Sequence, residues 1–308
     1  MEYSELQVTS NFSFLRGGSH PEELVREAIR LGYKAIAITD RNTVAGVVRA
    51  FKTAKASKGT QAENEKIQFI PACRLDLLDG TSLLAYPTDI AAWGRLCALL
   101  SKGNLRAEKG ECHLYKQDVF EHAEGIKFIA VPPSSLNSRF DFDDDFKNDI
   151  REYREIFGKD LYVAACRAYA GDDAKWLYRL SQLKAPMVAT NNVYYHLPER
   201  RRLQDVLTCV REKCTISNAG FKLHPNAERH LKTIDEMERL FMDYPEAISR
   251  IDEITDACKF SLDTLKYLEP EWKSPDGRTA DEHLAEHTWA GAKKRIGDRM
   301  KPKHMDQI

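Results

Sequence analysis

The sequence predicts an α/β fold, either a barrel or a doubly wound open sheet. Seven short apolar runs alternate mostly with stretches whose apolar residues recur at helical spacing. A continuous apolar run between helical segments is typical of a strand that is buried on both faces. Polar or charged residues follow several of these runs directly, where the loops of such folds converge. We therefore expect a functional site at one end of the sheet.

The predicted strands follow from the apolar runs and their breakers. Asp79-Gly80 predicts a hairpin between the third and fourth strands, and Pro132-Pro133 ends the fifth. The strands are expected at Leu6–Phe14 (with its exit loop), Ala35–Thr39, Ile67–Leu78, Thr81–Tyr86, Lys127–Val131, Leu161–Cys166 and Met187–Val193.

The predicted helices follow from apolar periodicity and from helix boundary residues. Pro21 suits a first helical turn, and Gly32 suits the position after a last one. The helices are expected at Pro21–Leu31, Thr43–Lys58, Ile90–Leu100, Asp141–Phe157, Asp172–Leu183, Pro198–Glu212, Glu236–Phe241, Pro245–Cys258 and Asp281–Arg295.

Composition places the chain among ordinary soluble proteins. Of its 308 residues, 43% are apolar and 30% charged, and the net charge of −1 gives no global attraction for nucleic acid or an anionic membrane. No secretory signal or membrane span is visible. Seven scattered cysteines without a CxxC pair favour a reduced, cytoplasmic protein over a zinc or disulfide framework.

The character of the chain divides it into three parts. We expect a barrel over residues 1–197, a helical extension over 198–268, and a proline-rich linker with a last helix over 269–308. The sequence stops at Ile308 without a capping signal, which we interpret as a truncation inside a larger protein.

Charged residues at the strand ends are the first candidates for a site. We expect Asn11, Asp40, Arg74 and Asn192 to line one pocket. Asp40 stands beside Arg41, and a guanidinium is permanently charged and repels a metal ion. We therefore predict that Asp40 pairs with Arg74 or Arg41 and closes the barrel mouth. A phosphate site formed by the arginines is the functional alternative.

Histidines offer little support for a metal site. Only His196 lies near the end of a core strand, and His20 lies on a loop. His283 and His287 have the i, i+4 spacing of a zinc pair, but a third ligand is not in view. His224 and His230 lie in loop-like sequence without a pattern.

Other charge clusters and the thiols have simpler interpretations. The acids of Asp141–Asp145 favour a helix start, where they interact well with the helix dipole. Arg200-Arg201-Arg202 could touch a nucleic-acid backbone, although three basic residues are more often a solvated helix end. No Ser-His-Asp or Cys-His order is apparent, and Cys73 is expected in the core.

Taken together, several segments resemble the N-terminal PHP (polymerase and histidinol phosphatase) domain of bacterial C-family DNA polymerases, in the damage-induced, error-prone DnaE-type branch. The resemblance covers the whole chain. The matching segments are Leu6–Gly17, Ala37–Gly46, Phe69–Leu75, Arg106–His113, Val188–His196, Leu203–Arg211, Asn226–Thr233 and His287–Ala292. This resemblance implies a distorted seven-stranded (β/α) barrel with a small helical C-terminal extension.

The departures from the family pattern bear on activity. By resemblance, metal-binding PHP domains carry metal ligands at seven positions, and of these only Asp40 keeps a ligand type here. The seven residues at these positions are Thr9, Asn11, Asp40, Arg41, Arg74, Asn192 and Tyr194. One carboxylate that faces two guanidiniums does not assemble a metal centre. We therefore expect a vestigial pocket with no catalytic residue and no metal or other cofactor in this chain.

The resemblance also implies the function of the larger protein. A polymerase of this branch adds deoxynucleotides to a primer on a DNA template, across damage, with two magnesium ions in a palm downstream of Ile308. Expected partners are that palm and the thumb, DNA, a sliding clamp and other translesion proteins, with no membrane. A metal-dependent PHP phosphoesterase or proofreading exonuclease, and a stand-alone interaction module, remain alternatives.

Overall fold

The structure is a computed structural model that describes residues 2–57, 67–266, 274 and 276–307. Within these residues, eight strands form two sheets. The sheets have the orders β1-β2-β3 and β4-β5-β6-β7-β8. The strands are β1 (Ser4–Val8), β2 (Ala35–Ile38), β3 (Gln68–Pro71), β4 (Cys73–Asp76), β5 (Ser82–Pro87), β6 (Ile126–Ala130), β7 (Leu161–Ala165) and β8 (Met187–Ala189).

Isolated backbone bridges join the two sheets into a distorted barrel. Val8 pairs in parallel with Val193, which follows β8, and Arg41 pairs in parallel with Arg74 in β4. Because β5 is antiparallel to both neighbours while the other pairs are parallel, every strand except β5 points its carboxyl end to the same mouth. The predicted barrel is confirmed.

The strand predicted over Ile67–Leu78 is divided at Ala72. Its first half, β3, pairs with β2, and its second half, β4, pairs with β5. The division raises the strand count from the predicted seven to eight in the described residues, although β3 and β4 together occupy one position in the barrel. The predicted hairpin at Asp79-Gly80 is confirmed, with Gly80 at φ 88°.

The described residues contain eleven α-helices. The prediction missed α4 and α11, and the other helices agree with it to within a few residues at most ends. The helices are α1 (Pro21–Arg30), α2 (Val47–Ser57), α3 (Ile90–Leu105), α4 (Lys116–Glu121), α5 (Asp144–Phe157), α6 (Asp173–Ser181), α7 (Arg201–Arg211), α8 (Ile234–Leu240), α9 (Pro245–Thr255), α10 (Ala280–Ile296) and α11 (Pro302–Met305).

The core lies inside the barrel and beneath its helices. All five residues of β1 and all four of β2 are buried, including Leu6, Val8, Ile36 and Ile38 at 0% exposure. Burial of a side chain of this size contributes about 1.5–3 kcal/mol, so these runs fix the strands in place. The polar residues that follow the strands are thereby delivered to the mouth.

The chain divides into two compact units, Met1–Leu265 and Lys266–Ile308. Most of the linker predicted after residue 269 lies outside the described residues. In the second unit, Thr279 begins α10 with a capping box to Glu282. Across the described ranges, no helix combines the length and apolar character that a membrane span requires.

Candidate functional site

A cavity of about 850 Å³ opens at the barrel mouth. Four of the seven candidate positions line it: Arg41, Arg74, Asn192 and Tyr194. The parallel bridge between Arg41 and Arg74 brings the ends of β2 and β4 together there. The expectation that an ion pair closes the mouth is therefore wrong, because an open cavity remains.

The other three candidate positions do not belong to the cavity lining. Thr9 and Asp40 are 2% and 1% exposed. The Asn11 amide nitrogen lies 2.9 Å from His20 Nδ1. The expectation that Asn11 and Asp40 line one pocket with Arg74 and Asn192 is thus wrong, because Asn11 contacts His20 and the loop after β1 encloses Asp40.

Asp40 is bound by hydroxyl and amide donors. Its carboxylate accepts hydrogen bonds from the Ser10 amide at 2.8 Å, the Ser10 hydroxyl at 2.7 Å and the Ser13 hydroxyl at 2.7 Å. Burial raises the pKa of Asp40 above its ordinary value, although these donors oppose the effect. The predicted ion pair of Asp40 with Arg41 or Arg74 is wrong, since both arginines bind another carboxylate.

That other carboxylate is Asp76, which the sequence analysis missed. Arg41 Nη1 lies 2.6 Å from Asp76 Oδ2, and Arg74 Nε lies 2.7 Å from Asp76 Oδ1. Burial would raise the pKa of Asp76, but Arg74 and Arg41 lower it below its ordinary value. The spacing of Arg74 and Asp76 could have revealed this pair, because residues two apart in a strand lie on the same face of the sheet.

The Asn42 side chain forms hydrogen bonds with the backbone of Asp76. Its side-chain oxygen accepts a hydrogen bond from the Asp76 amide at 2.8 Å, and its side-chain nitrogen donates to the Asp76 carbonyl at 3.2 Å. Asn42 has φ 51°, a left-handed conformation that asparagine tolerates better than most residues. This pair of bonds fixes the carboxylate between the two guanidiniums.

Arg229 is a second residue that the sequence analysis missed. It lines the cavity, and its guanidinium lies 5.7 Å from the ring centroid of Tyr194. The Tyr194 amide donates to the Arg229 carbonyl at 2.9 Å, which ties the loop before α8 to the segment after β8. Because the two residues are 35 positions apart in the sequence, no local pattern could reveal this contact.

The histidines are dispersed over the molecule. His196 Nδ1 lies 2.7 Å from the Ser19 hydroxyl, His230 Nδ1 lies 2.9 Å from the Ala227 carbonyl, and His283 contacts Asp276. His224 lies in a loop, as expected, and it lines the cavity.

The residues present do not fit a metal centre of the kind that the family resemblance implies. Asp40 is enclosed by Ser10 and Ser13, while Arg41 and Arg74 carry permanent charge at the mouth. Among the described residues, no group of three or more His, Cys, Asp or Glu side chains could hold a metal ion. We therefore derive no metal-dependent step at this site.

The remaining charge clusters make structural contacts. Arg200 pairs with Glu23, Arg201 pairs with Asp205 at 2.7 Å, and Arg202 is exposed. In the acidic run, Asp141 pairs with Lys147 at 2.7 Å ahead of α5.

Comparison with known proteins identifies the class of protein. The PHP domain family matches residues 5–167, which is more than half of the chain. The chain therefore belongs to the PHP domain family, in agreement with the barrel.

Curated relatives extend the likeness over almost the whole chain. It is 48% identical to the error-prone DNA polymerase of Caulobacter vibrioides over 99% of this chain and 27% of that protein. It is 44% identical to the error-prone DNA polymerase of Rhodopseudomonas palustris over 94% of this chain and 26% of that protein. The chain thus spans about a quarter of the length of these relatives.

A solved structure gives a weaker likeness. An amidohydrolase from Chromobacterium violaceum is 12% identical, with a TM-score of 0.43 over 61% of this chain and 86% of that one. A likeness at this level carries no functional argument.

Proposed function

We propose that the chain is the non-catalytic, structural PHP domain of an error-prone, damage-induced DNA-directed DNA polymerase that performs translesion synthesis. The observation that supports the proposal is the ion-pair network of Arg41, Asp76 and Arg74. By resemblance, Arg41 and Arg74 stand at positions where metal-binding PHP domains carry ligands. Near-complete coverage by relatives named error-prone DNA polymerase supports the polymerase parent. In that parent, magnesium serves a palm that lies outside this chain.

The alternative of a metal-dependent phosphoesterase or proofreading exonuclease is less well supported. Such enzymes activate water on a bound metal, and that activation needs several anionic or neutral ligands around the ion. Here the buried Asp40 carboxylate is already bound by Ser10 and Ser13. A hydrolytic role would require other ligands.

A scaffold role needs a surface for the rest of the polymerase, and α7 offers one. Leu203, Val206 and Val210 lie at i, i+3 and i+7 on this helix and are 40%, 43% and 56% exposed. Contiguous exposed apolar residues are typical of an interaction surface. We assign this face of α7 to contact with the palm or thumb of the same protein.

Further partners follow from the polymerase role. DNA binds to the full-length protein, a sliding clamp and other translesion proteins assist it, and the exposed Arg202 is available for contact with a DNA backbone. A cytoplasmic location accords with the free thiols of the chain. The rival role as a stand-alone interaction module is tested by reading the gene past codon 308.

Primer extension by the full-length polymerase tests the scaffold role. We expect Val206→Asp with Val210→Asp to reduce extension with magnesium roughly tenfold, while the same changes leave the melting temperature of the 308-residue chain nearly unchanged. The matched control is Val48→Asp on α2, where valine is 52% exposed outside this face. Equal extension by all proteins would contradict the role. Metal-dependent nuclease activity of the chain that Asp40→Ala abolishes would favour the hydrolytic alternative.

A further inference from the structure

The C-terminal end of α7 brings two cysteines together. Cys209 lies in the last turns of the helix, and Cys214 follows shortly after its end. The Cys214 amide donates a hydrogen bond to the Cys209 carbonyl at 3.0 Å, and the Lys213 amide donates to the Val210 carbonyl at 3.3 Å. Lys213 has φ 51°, in the left-handed region. These features define a Schellman motif, a helix ending in which the chain turns back over the last turn.

This motif places the two thiols against each other. In a Schellman motif, the side chain that closes the turn frequently contacts the side chain five positions earlier. Here these are the side chains of Cys214 and Cys209, and their thiols form a hydrogen bond. A backbone hydrogen bond between the same two residues keeps their Cα atoms within roughly the 4.4–6.8 Å that a disulfide spans. A bond between the sulfur atoms therefore requires no large movement of the backbone.

The two thiols differ in their access to solvent. Cys209 is 5% exposed, whereas Cys214 is partly exposed beyond the helix. Burial and the contact with the Cys214 thiol raise the pKa of Cys209, so this thiol is protonated at neutral pH and reacts slowly with dissolved oxidants. Cys214 is therefore the first of the two to meet an oxidant, and Cys209 is placed to react with the product.

We propose that Cys209 and Cys214 form a reversible disulfide when the chain meets a hydroperoxide, such as hydrogen peroxide. The Cys214 thiolate attacks one peroxide oxygen, which gives a sulfenic acid and releases hydroxide. The Cys209 sulfur then attacks the Cys214 sulfur, the S–S bond forms, the S–O bond breaks, and water leaves with the Cys209 proton. Two thiols and one hydrogen peroxide thus give one disulfide and two waters, and two electrons pass from sulfur to the peroxide.

The disulfide would have two consequences for this end of α7. It preserves Cys214, because a sulfenic acid that meets a neighbouring thiol does not proceed to the irreversible sulfinic acid. It also fixes the helix end beside Val210, whose side chain is 56% exposed. A dithiol reductant reverses the step by thiol–disulfide exchange, so the bond is transient in a reducing compartment. The site is independent of the polymerase role.

Peptide mapping of the 308-residue chain after mild oxidation tests this site. Trypsin cleaves after Arg211 and Lys213, between the two cysteines, so the disulfide would join the peptides Leu203–Arg211 and Cys214–Lys222. The reduced chain is treated with a few equivalents of hydrogen peroxide, its remaining thiols are alkylated, and the digest is analysed by mass spectrometry. We expect the linked peptides in most of the monomeric chain, and their separation by a dithiol reductant.

Single substitutions separate the roles of the two thiols. In Cys209→Ser, Cys214 has no partner and should reach the sulfinic acid roughly tenfold more often than in the unaltered chain. In Cys214→Ser, the buried Cys209 should stay largely reduced. The matched control is Cys97→Ser, which removes a partly exposed thiol from α3. This control should form the linked peptides within about twofold of the unaltered chain.

The unaltered chain gives the decisive result, so the proposal does not depend on the folding of a variant. Linked peptides that form in the monomer and separate on reduction would support it. Three results would overturn it: both thiols still free at a peroxide dose that oxidises Cys97, sulfinic acid at Cys214 without the linked peptides, or bonds from Cys209 or Cys214 to other cysteines.

Discussion

Ser10 donates two hydrogen bonds to Asp40, one from its backbone amide at 2.8 Å and one from its hydroxyl at 2.7 Å. The contact spans 30 residues of sequence and ties the loop after β1 to the end of β2. The carboxylate at this strand end therefore holds the fold together at the mouth. Asp40 is the one candidate position that keeps a metal-ligand residue type, and its carboxylate accepts hydrogen bonds from Ser10 and Ser13.

The first prediction separates this structural role from a role as an ion-pair partner. Asp40→Ala should lower the free energy of unfolding by about 3 kcal/mol, because it leaves the buried donors of Ser10 and Ser13 without an acceptor. Asp40→Asn should cost much less, since an amide oxygen still accepts hydrogen bonds and the buried charge is gone. Urea denaturation of both variants measures the difference. Equal losses would show that the charge itself is required.

The second prediction concerns Gly46, which packs against the same carboxylate. A Cβ atom at Gly46 would lie 2.8 Å from Asp40 Oδ2. Gly46→Ala should therefore destabilise the chain by about 1–3 kcal/mol. Gly94 on α3 is the matched control, because a Cβ there meets no atom within 4 Å and alanine favours the helix. Gly94→Ala should stabilise by about 0.5–1 kcal/mol in the same denaturation experiment. Similar effects of both substitutions would contradict this packing.

The third prediction uses a buried carboxyl group at the start of the barrel. Burial raises the pKa of Glu5 from 4.5 to about 7, although the Gln7 amide, the Tyr3 hydroxyl and the Asn191 amide donate to it. The folded chain therefore holds this proton more tightly than the unfolded chain does. Between these two pH values the contribution of Glu5 to stability falls as pH rises, by at most about 1.4 kcal/mol per pH unit.

Glu5→Gln removes this titration and should flatten the pH dependence of stability in that window. The substitution also changes hydrogen bonds, so the absolute free energies of unfolding differ between the two proteins. The quantity to compare is therefore the slope of the free energy of unfolding against pH. Parallel slopes from pH 4.5 to 7 would contradict the raised pKa.

Most of the barrel could be predicted from sequence because its strands are short apolar runs between amphipathic helices. The run Ala35–Ile38 is a strand as expected, with every residue buried. The break in Ile67–Leu78 could not be predicted, because apolar residues continue through Ala72 while the pairing partner changes from β2 to β5. A change of the neighbouring strand does not alter the spacing of apolar residues along the segment, so the sequence pattern does not reveal it.

The site was predictable in position but only partly in its contacts. Arg41 and Arg74 were found because they follow or end apolar runs, yet their shared partner Asp76 was overlooked. Arg229 reaches the cavity from a loop far along the chain, beside Tyr194. Contacts of this kind depend on tertiary placement, which spacing along one segment does not encode.

Metal content after exposure to metal tests the central claim most directly. The 308-residue chain is incubated with excess zinc or manganese, dialysed without chelator, and measured by elemental analysis beside Asp40→Asn. Because Arg41 and Arg74 occupy ligand positions and Asp40 is bound by Ser10, we predict well below one metal ion per chain in both proteins. Two or three ions per chain that Asp40→Asn removes would contradict the account.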